Sequence, residues 1–248
     1  MKYLLLILTI ILLTACNSKI RQANKRGMEF MKQERYEQAI NEFNRILSID
    51  DSFYPAYYNR AISYANTQNY REALHDFNYL IATFPDHSES YFNRGVVFEN
   101  LGIYPSAIKD YSESIKLCPD FILAYHYRGI ARFKMNDYTG ALQDYDSALR
   151  IGKDQTMDAI HAKQVGLNSS ALYFNRGVVM QKLGKIAEAV EDYNRSIEID
   201  PSNARSYYNR GIAQMALFKS AAALNDLEIA SRLGFTAADS VIKSYFKN

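Results

Sequence analysis

Beyond the first twenty residues, apolar and polar positions alternate with a helical rhythm broken at regular intervals. In the first half of each segment, positions 4, 8 and 11 fall four and three apart on one face of a helix, and most of them are apolar or small. A short polar break follows, such as Thr67-Gln68-Asn69 or Met135-Asn136-Asp137. A second helical stretch comes next, with a small residue at position 20 and a large one at position 24. In three segments it stops at a proline, Pro85, Pro119 or Pro201, which cannot continue the hydrogen-bond ladder. The pattern predicts helical hairpins and no strands.

The hairpins repeat. Tyr57-Tyr-Asn-Arg-Ala61 returns as Tyr91-Phe-Asn-Arg-Gly95, Tyr125-His-Tyr-Arg-Gly129, Tyr173-Phe-Asn-Arg-Gly177 and Tyr207-Tyr-Asn-Arg-Gly211. An earlier copy begins at Arg26-Gly27. The repeats span 20–155 (four copies) and 170–237 (two copies), separated by an insert at 156–169. Position 8 is Gly27, Ala61, Gly95, Gly129, Gly177 and Gly211. Position 20 is Ala39, Ala73, Ala107, Ala141, Ala189 and Ala223. Position 24 is Phe43, Phe77, Tyr111, Tyr145, Tyr193 and Leu227. Small residues at 8 and 20 let two helices cross closely. One hairpin cannot bury its own apolar face, so neighbours must stack to complete the core.

This order of small residue, aromatic, alanine and proline resembles the tetratricopeptide repeat over almost the whole chain after the N-terminal segment. The resemblance implies an all-α, right-handed α-solenoid of six hairpins. Val241, Ile242, Tyr245 and Phe246 supply the apolar side of a capping helix over 238–248.

Two recurrent features bear on function. Position 7 is Arg26, Arg60, Arg94, Arg128, Arg176 and Arg210; position 23 is Glu42, Asp76, Asp110, Asp144, Asp192 and Asp226. An arginine beside a packed stripe needs a partner, so these are read as pairs tying helices together rather than as a charged recognition ladder. Positions 5, 9 and 12 form a second stripe beside the core stripe. Position 5 holds Tyr58, Phe92, His126, Phe174 and Tyr208; position 6 adds Asn59, Asn93, Asn175 and Asn209. In tetratricopeptide proteins the first helices line the concave side. The resemblance thus implies an aromatic and amide-lined groove for an extended peptide or partner helix. For the aliphatic residues at position 9, packing of repeat on repeat is an equal reading. Some family members clamp a terminal carboxylate with basic residues. Here position 2 reads Arg21, Pro55, Glu89, Leu123, Ala171 and Arg205, and that basic pattern is largely absent. The insert reads either as an added half-helix and loop or as a decayed hairpin.

The N-terminal segment is of a different kind. MKYLLLILTIILLTAC has a basic start at Lys2, an apolar run and small residues before Cys16, the layout of a secretory signal. Leu13-Thr14-Ala15-Cys16 resembles the bacterial lipobox. The resemblance implies removal of 1–15, acylation of Cys16 (palmitate among the chains) and a lipid anchor. Residues 16–19 then form a short link to the first repeat. Asn17, where Asp would mark inner-membrane retention, points to the outer membrane over the inner.

The formal net charge of +2 gives no basic stripe for nucleic acid. His75, His87, His126 and His161 share no metal-binding spacing, and no nucleotide-binding or nucleophile motif is present. No enzyme activity, cofactor or metal is expected. The expected role is a membrane-anchored protein–protein scaffold of the cell envelope. A self-associating structural protein and a glycan-binding module of cell-wall metabolism are the alternatives.

Overall fold

The computed structural model describes residues 2–154 and 169–246, with side chains described for 17–152 and 169–246. The expected signal segment 1–15, the acylation site Cys16 and most of the insert, 156–168, therefore lie outside the described side chains.

Thirteen helices occur among the described residues: α1 Lys2–Lys32, α2 Tyr36–Ile49, α3 Tyr54–Asn66, α4 Tyr70–Thr83, α5 Ser88–Asn100, α6 Tyr104–Leu117, α7 Ile122–Lys134, α8 Tyr138–Asp154, α9 Ser169–Lys182, α10 Ile186–Ile199, α11 Ala204–Ala216, α12 Ser220–Arg232 and α13 Ala237–Phe246. They form two compact units, Met1–Cys118 and Pro119–Asn248. Each is a short α-solenoid. In the first, α1–α2, α3–α4 and α5–α6 are three stacked hairpins. In the second, α7–α8, α9–α10 and α11–α12 stack likewise, and α13 closes the stack on α12.

Local chemistry sets the hairpin. Position 15 adopts positive φ in every repeat: Glu34 (57°), Gln68 (61°), Gly102 (73°), Asn136 (61°), Gly184 (77°) and Phe218 (59°). Glycine takes this conformation freely and other residues at a cost. Pro55 and Pro105 sit in the first turns of α3 and α6, where a missing N–H costs nothing. Asn203 caps α11 by accepting from the Ser206 N–H, satisfying an otherwise orphaned donor.

The crossing of the two helices is tight. A Cβ added at Gly95 would lie 2.7 Å from the Tyr111 ring, and one at Gly177 2.8 Å from the Tyr193 ring. The position-24 rings Phe43, Phe77, Tyr111, Tyr145 and Tyr193 are fully or almost fully buried; burying each contributes about 1.5–3 kcal/mol. Position 8 is buried throughout, but from the second repeat on positions 4 and 11 are only half-buried. In those repeats the deepest inter-repeat positions are instead 3 and 10, mostly small residues such as Ala56, Ser90, Ala124, Ser63, Ala131 and Ala213.

Candidate functional site

The charged pairs are built from the two helices of each hairpin. Arg60 donates from Nε and Nη2 to both Asp76 oxygens at 2.8 Å. Arg94 holds Asp110, Arg176 holds Asp192 and Arg210 holds Asp226 in the same fork. Arg128 reaches Asp144, which Arg132 also holds at 2.8 Å. Arg26 pairs with Glu42 in the first repeat. The five Asp side chains are 2–5% exposed. From the second repeat on, each of these guanidinium groups also lies over the position-4 ring of its own repeat, at 5.2 Å for Arg60 and Tyr57 and 5.4 Å for Arg210 and Tyr207, a cation–π contact.

A further bond crosses between repeats. Arg60 Nη1 donates to Asn44 Oδ1, Arg94 to Asn78, Arg176 to Asp146 and Arg210 to Asn194, at 2.6–2.7 Å. All four acceptors stand at position 25 of the preceding repeat. The guanidinium thus joins three partners: its own second helix, its own first helix and the neighbouring hairpin. The recurrence of Asn at position 25 was the sequence signal for this bond.

The stripe expected to line a groove divides in two. Phe92, His126 and Phe174, read from sequence as groove-lining, are 6–8% exposed, a correction to that reading. Their rings pack on the position-24 rings, with centroids 5.8 Å apart for Phe92–Tyr111, 6.0 Å for His126–Tyr145 and 6.1 Å for Phe174–Tyr193. The small residue at position 8 lets the position-24 ring lie close against the first helix, and the position-5 ring packs on that ring. Tyr58 and Tyr208 are half-buried. Tyr58 packs on Phe77 and His87, and Tyr208 on Phe235. Burial pushes the Tyr58 phenol up to about 12.

Position 6 stays half-exposed at Asn59, Asn93, Asn175 and Asn209, as does position 9 at Ile62, Val96, Ile130, Val178 and Ile212. Some of the amides also knit repeats together. Asn93 Nδ2 donates to Tyr58 Oη at 2.9 Å and to the Glu89 carbonyl at 2.8 Å. Asn175 Nδ2 lies 3.2 Å from His126 Nε2. The imidazole Nδ1 is buried without a partner, and burial holds His126 down at about 4. Asn209 bonds back to the Arg205 carbonyl, while the Arg205 guanidinium sits 4.9 Å from the Phe174 ring centre. The first-helix face of each unit therefore presents amides and aliphatic side chains over a floor of buried rings.

Among the described residues, no group of three or more His, Cys, Asp or Glu is placed to hold a metal. Nor is any helix among them long and apolar enough to cross a membrane.

Tetratricopeptide-repeat models match residues 23–53 and 58–120, and a TPR-repeat model matches 182–217. With the hairpin geometry, this makes the chain a tetratricopeptide-repeat protein. No curated protein sequence matches it significantly. Among solved structures, it is similar to Cut9 in the APC/C hetero-tetramer Cut9–Hcn1, with TM-score 0.73, 17% identity, 98% of this chain and 45% of that one covered. It is similar to PilF of Pseudomonas aeruginosa, with TM-score 0.70, 15% identity, and 94% and 95% covered. It is also similar to YrrB, described as a TPR protein with an unusual peptide-binding site, with TM-score 0.65, 17% identity, and 81% and 97% covered. At these identities the likeness is one of fold.

Proposed function

We propose that this protein is a lipid-anchored scaffold of the bacterial cell envelope that grips an extended peptide or a partner helix on its first-helix faces. The observation that carries the gripping role is the half-exposure of positions 6 and 9 in all repeats from the second to the sixth. Side-chain amides there offer bonds to a peptide backbone, and the aliphatic neighbours offer apolar contact. YrrB, similar in fold, has a peptide-binding site, and Cut9 is found in complex with Hcn1; both lend support to a polypeptide as the ligand.

Anchoring rests on the sequence up to Cys16. Acyl chains on that residue bury about 0.8 kcal/mol per CH₂, and two or more make attachment stable. Ile20, the first buried side chain described, lies four residues on in the same helix, α1, roughly 6 Å along its axis. The folded part is thus held close to the lipid surface. The outer membrane is the favoured site, on Asn17.

Photo-crosslinking residues placed at 62, 96 and 178 of the membrane-bound protein test the gripping role. The same partner should be captured from several of these positions, and capture should fail when the label is moved to the outer surface, as at Lys116. Equal capture from both faces would reject the groove. Mass spectrometry of the N-terminal peptide tests the anchor: an unacylated Cys16 would remove it from the reading.

A further inference from the structure

The first repeat departs from the others on the same face. At positions 2, 6 and 13 it carries Arg21, Lys25 and Lys32, all exposed. Steps of four and seven residues put them on one side of α1. The second repeat has Pro55, Asn59 and Asn66 at these positions, and the third has Glu89, Asn93 and Asn100. Position 2 alone does not reveal this, because two of the three charges stand elsewhere. None of the three cations is paired with an acid among the described residues, whereas Arg26 on the other side of the helix is held by Glu42. Positive charge on this unit's first-helix face is therefore gathered at one end.

The same three side chains border a cleft of about 330 Å³ whose apolar part is Met28 and Phe53. Met28 is 46% exposed. Asn24 also lines the cleft. Its Nδ2 meets only the Met28 sulfur, at 3.8 Å, and its Oδ1 is buried without a donor. Every other repeat but the first fills this position with a ring. The site thus combines a hollow with apolar walls, an unmatched acceptor and three unneutralised cations, tempered by Glu29 at its rim.

We infer that this end of the face receives an acidic stretch of the partner polypeptide. An apolar side chain seats against Met28 and Phe53, flanking Asp or Glu residues meet Arg21, Lys25 and Lys32, and a peptide N–H answers Asn24. The inference rests on the groove reading above and names which kind of peptide the groove takes. A phosphate headgroup would answer the charge, but it brings neither the apolar side chain nor the amide.

The test is selection from a random-peptide display library on the full-length chain in neutral-lipid nanodiscs. Wild type is compared with the triple variant Arg21→Glu/Lys25→Glu/Lys32→Glu and with Ile62→Asp. All four residues are surface or half-exposed, and circular dichroism verifies the fold. Wild type should select peptides rich in Asp and Glu beside an apolar residue. Such a peptide should bind the triple variant at least about tenfold more weakly, and the difference should shrink in high salt. The triple variant should select Lys and Arg instead. An unchanged acidic preference in the triple variant overturns the inference. Peptides that depend on Ile62 but carry no acidic bias also overturn it, leaving the groove intact. Binding indifferent to every variant, or no binding, removes both readings. Protection of Lys25 and Lys32 from acetylation by phosphatidylglycerol vesicles, but not by the selected peptides, assigns the face to the membrane and overturns the inference as well.

Discussion

Arg176 Nη1 donates to Asp146 Oδ1 at 2.7 Å across thirty residues of sequence, where the equivalent bonds elsewhere span sixteen. Repeat five therefore grips repeat four as repeats two, three and six grip their predecessors, despite the insertion between them. His126 and Asn175 repeat the lesson between the first helices of the same two repeats, α7 and α9. The inserted residues leave the register of the stack unaltered.

Excising 156–169 should then be tolerated. It restores the uniform period and shortens a connection whose closure entropy depends only weakly on length. Stability in urea should stay within about 1 kcal/mol of the parent. A larger loss would mean the insert contributes packing of its own.

The two carboxylates gripped by arginine differ in burial and should differ in cost. Asp110 is 3% exposed and holds a forked Arg94. Asp110→Ala leaves that guanidinium without its counter-charge and should cost about 3–5 kcal/mol. Asp146 is 51% exposed, so Asp146→Ala should cost at most about 1 kcal/mol. Urea midpoints of the two variants check the ranking.

His126 predicts an acid-sensitive term. Its folded value near 4 lies below the ordinary 6.5, because burial disfavours the cation. The unfolded chain takes up the proton first. The contribution is therefore complete above pH 6.5 and is lost as pH falls from 6.5 towards 4, by about 3 kcal/mol at the lower end. His126→Phe places there the residue that repeats three and five already use. The difference in stability between this variant and its parent should shift in the variant's favour across that window. A constant difference would contradict the burial argument.

Phe218 is 92% exposed and sits at φ 59°, in the turn where repeats three and five place glycine. A side chain in that conformation is strained and gains nothing from burial here. Phe218→Gly should raise stability by about 1 kcal/mol. Thermal melts measure this directly, and a loss would show that the ring makes a compensating contact.

Much of this architecture was legible in the sequence, because each structural requirement recurs six times in phase. Gly95, Ala107 and Tyr111 each declare a crossing point, and Arg94 with Asp110 declares a tie between helices. Burial at position 5 was not legible. Positions 4 and 5 are consecutive and point about 100° apart on the helix, and spacing alone does not say which of the two turns inward. The rings of Tyr111 and Tyr193, seated on Gly95 and Gly177, decide it for Phe92 and Phe174, which pack on them. The contribution of small residues at positions 3 and 10 was also hidden, since Ser63 and Ser90 read as surface residues until their neighbours are seen. The cleft beside Met28 depends on Phe53, which lies outside α1 altogether.

Helix α13 turns Ala238 and Ile242 towards Leu227 and Ala230 and leaves Asp239, Ser240, Lys243 and Ser244 outward. A linear array with a sticky last face invites another molecule to continue it, and so on into filaments. Here that face is already occupied by the chain's own tail and dressed in polar groups. At this end of the second unit the apolar surface a further hairpin would need is already spent, so end-to-end growth from it is disfavoured.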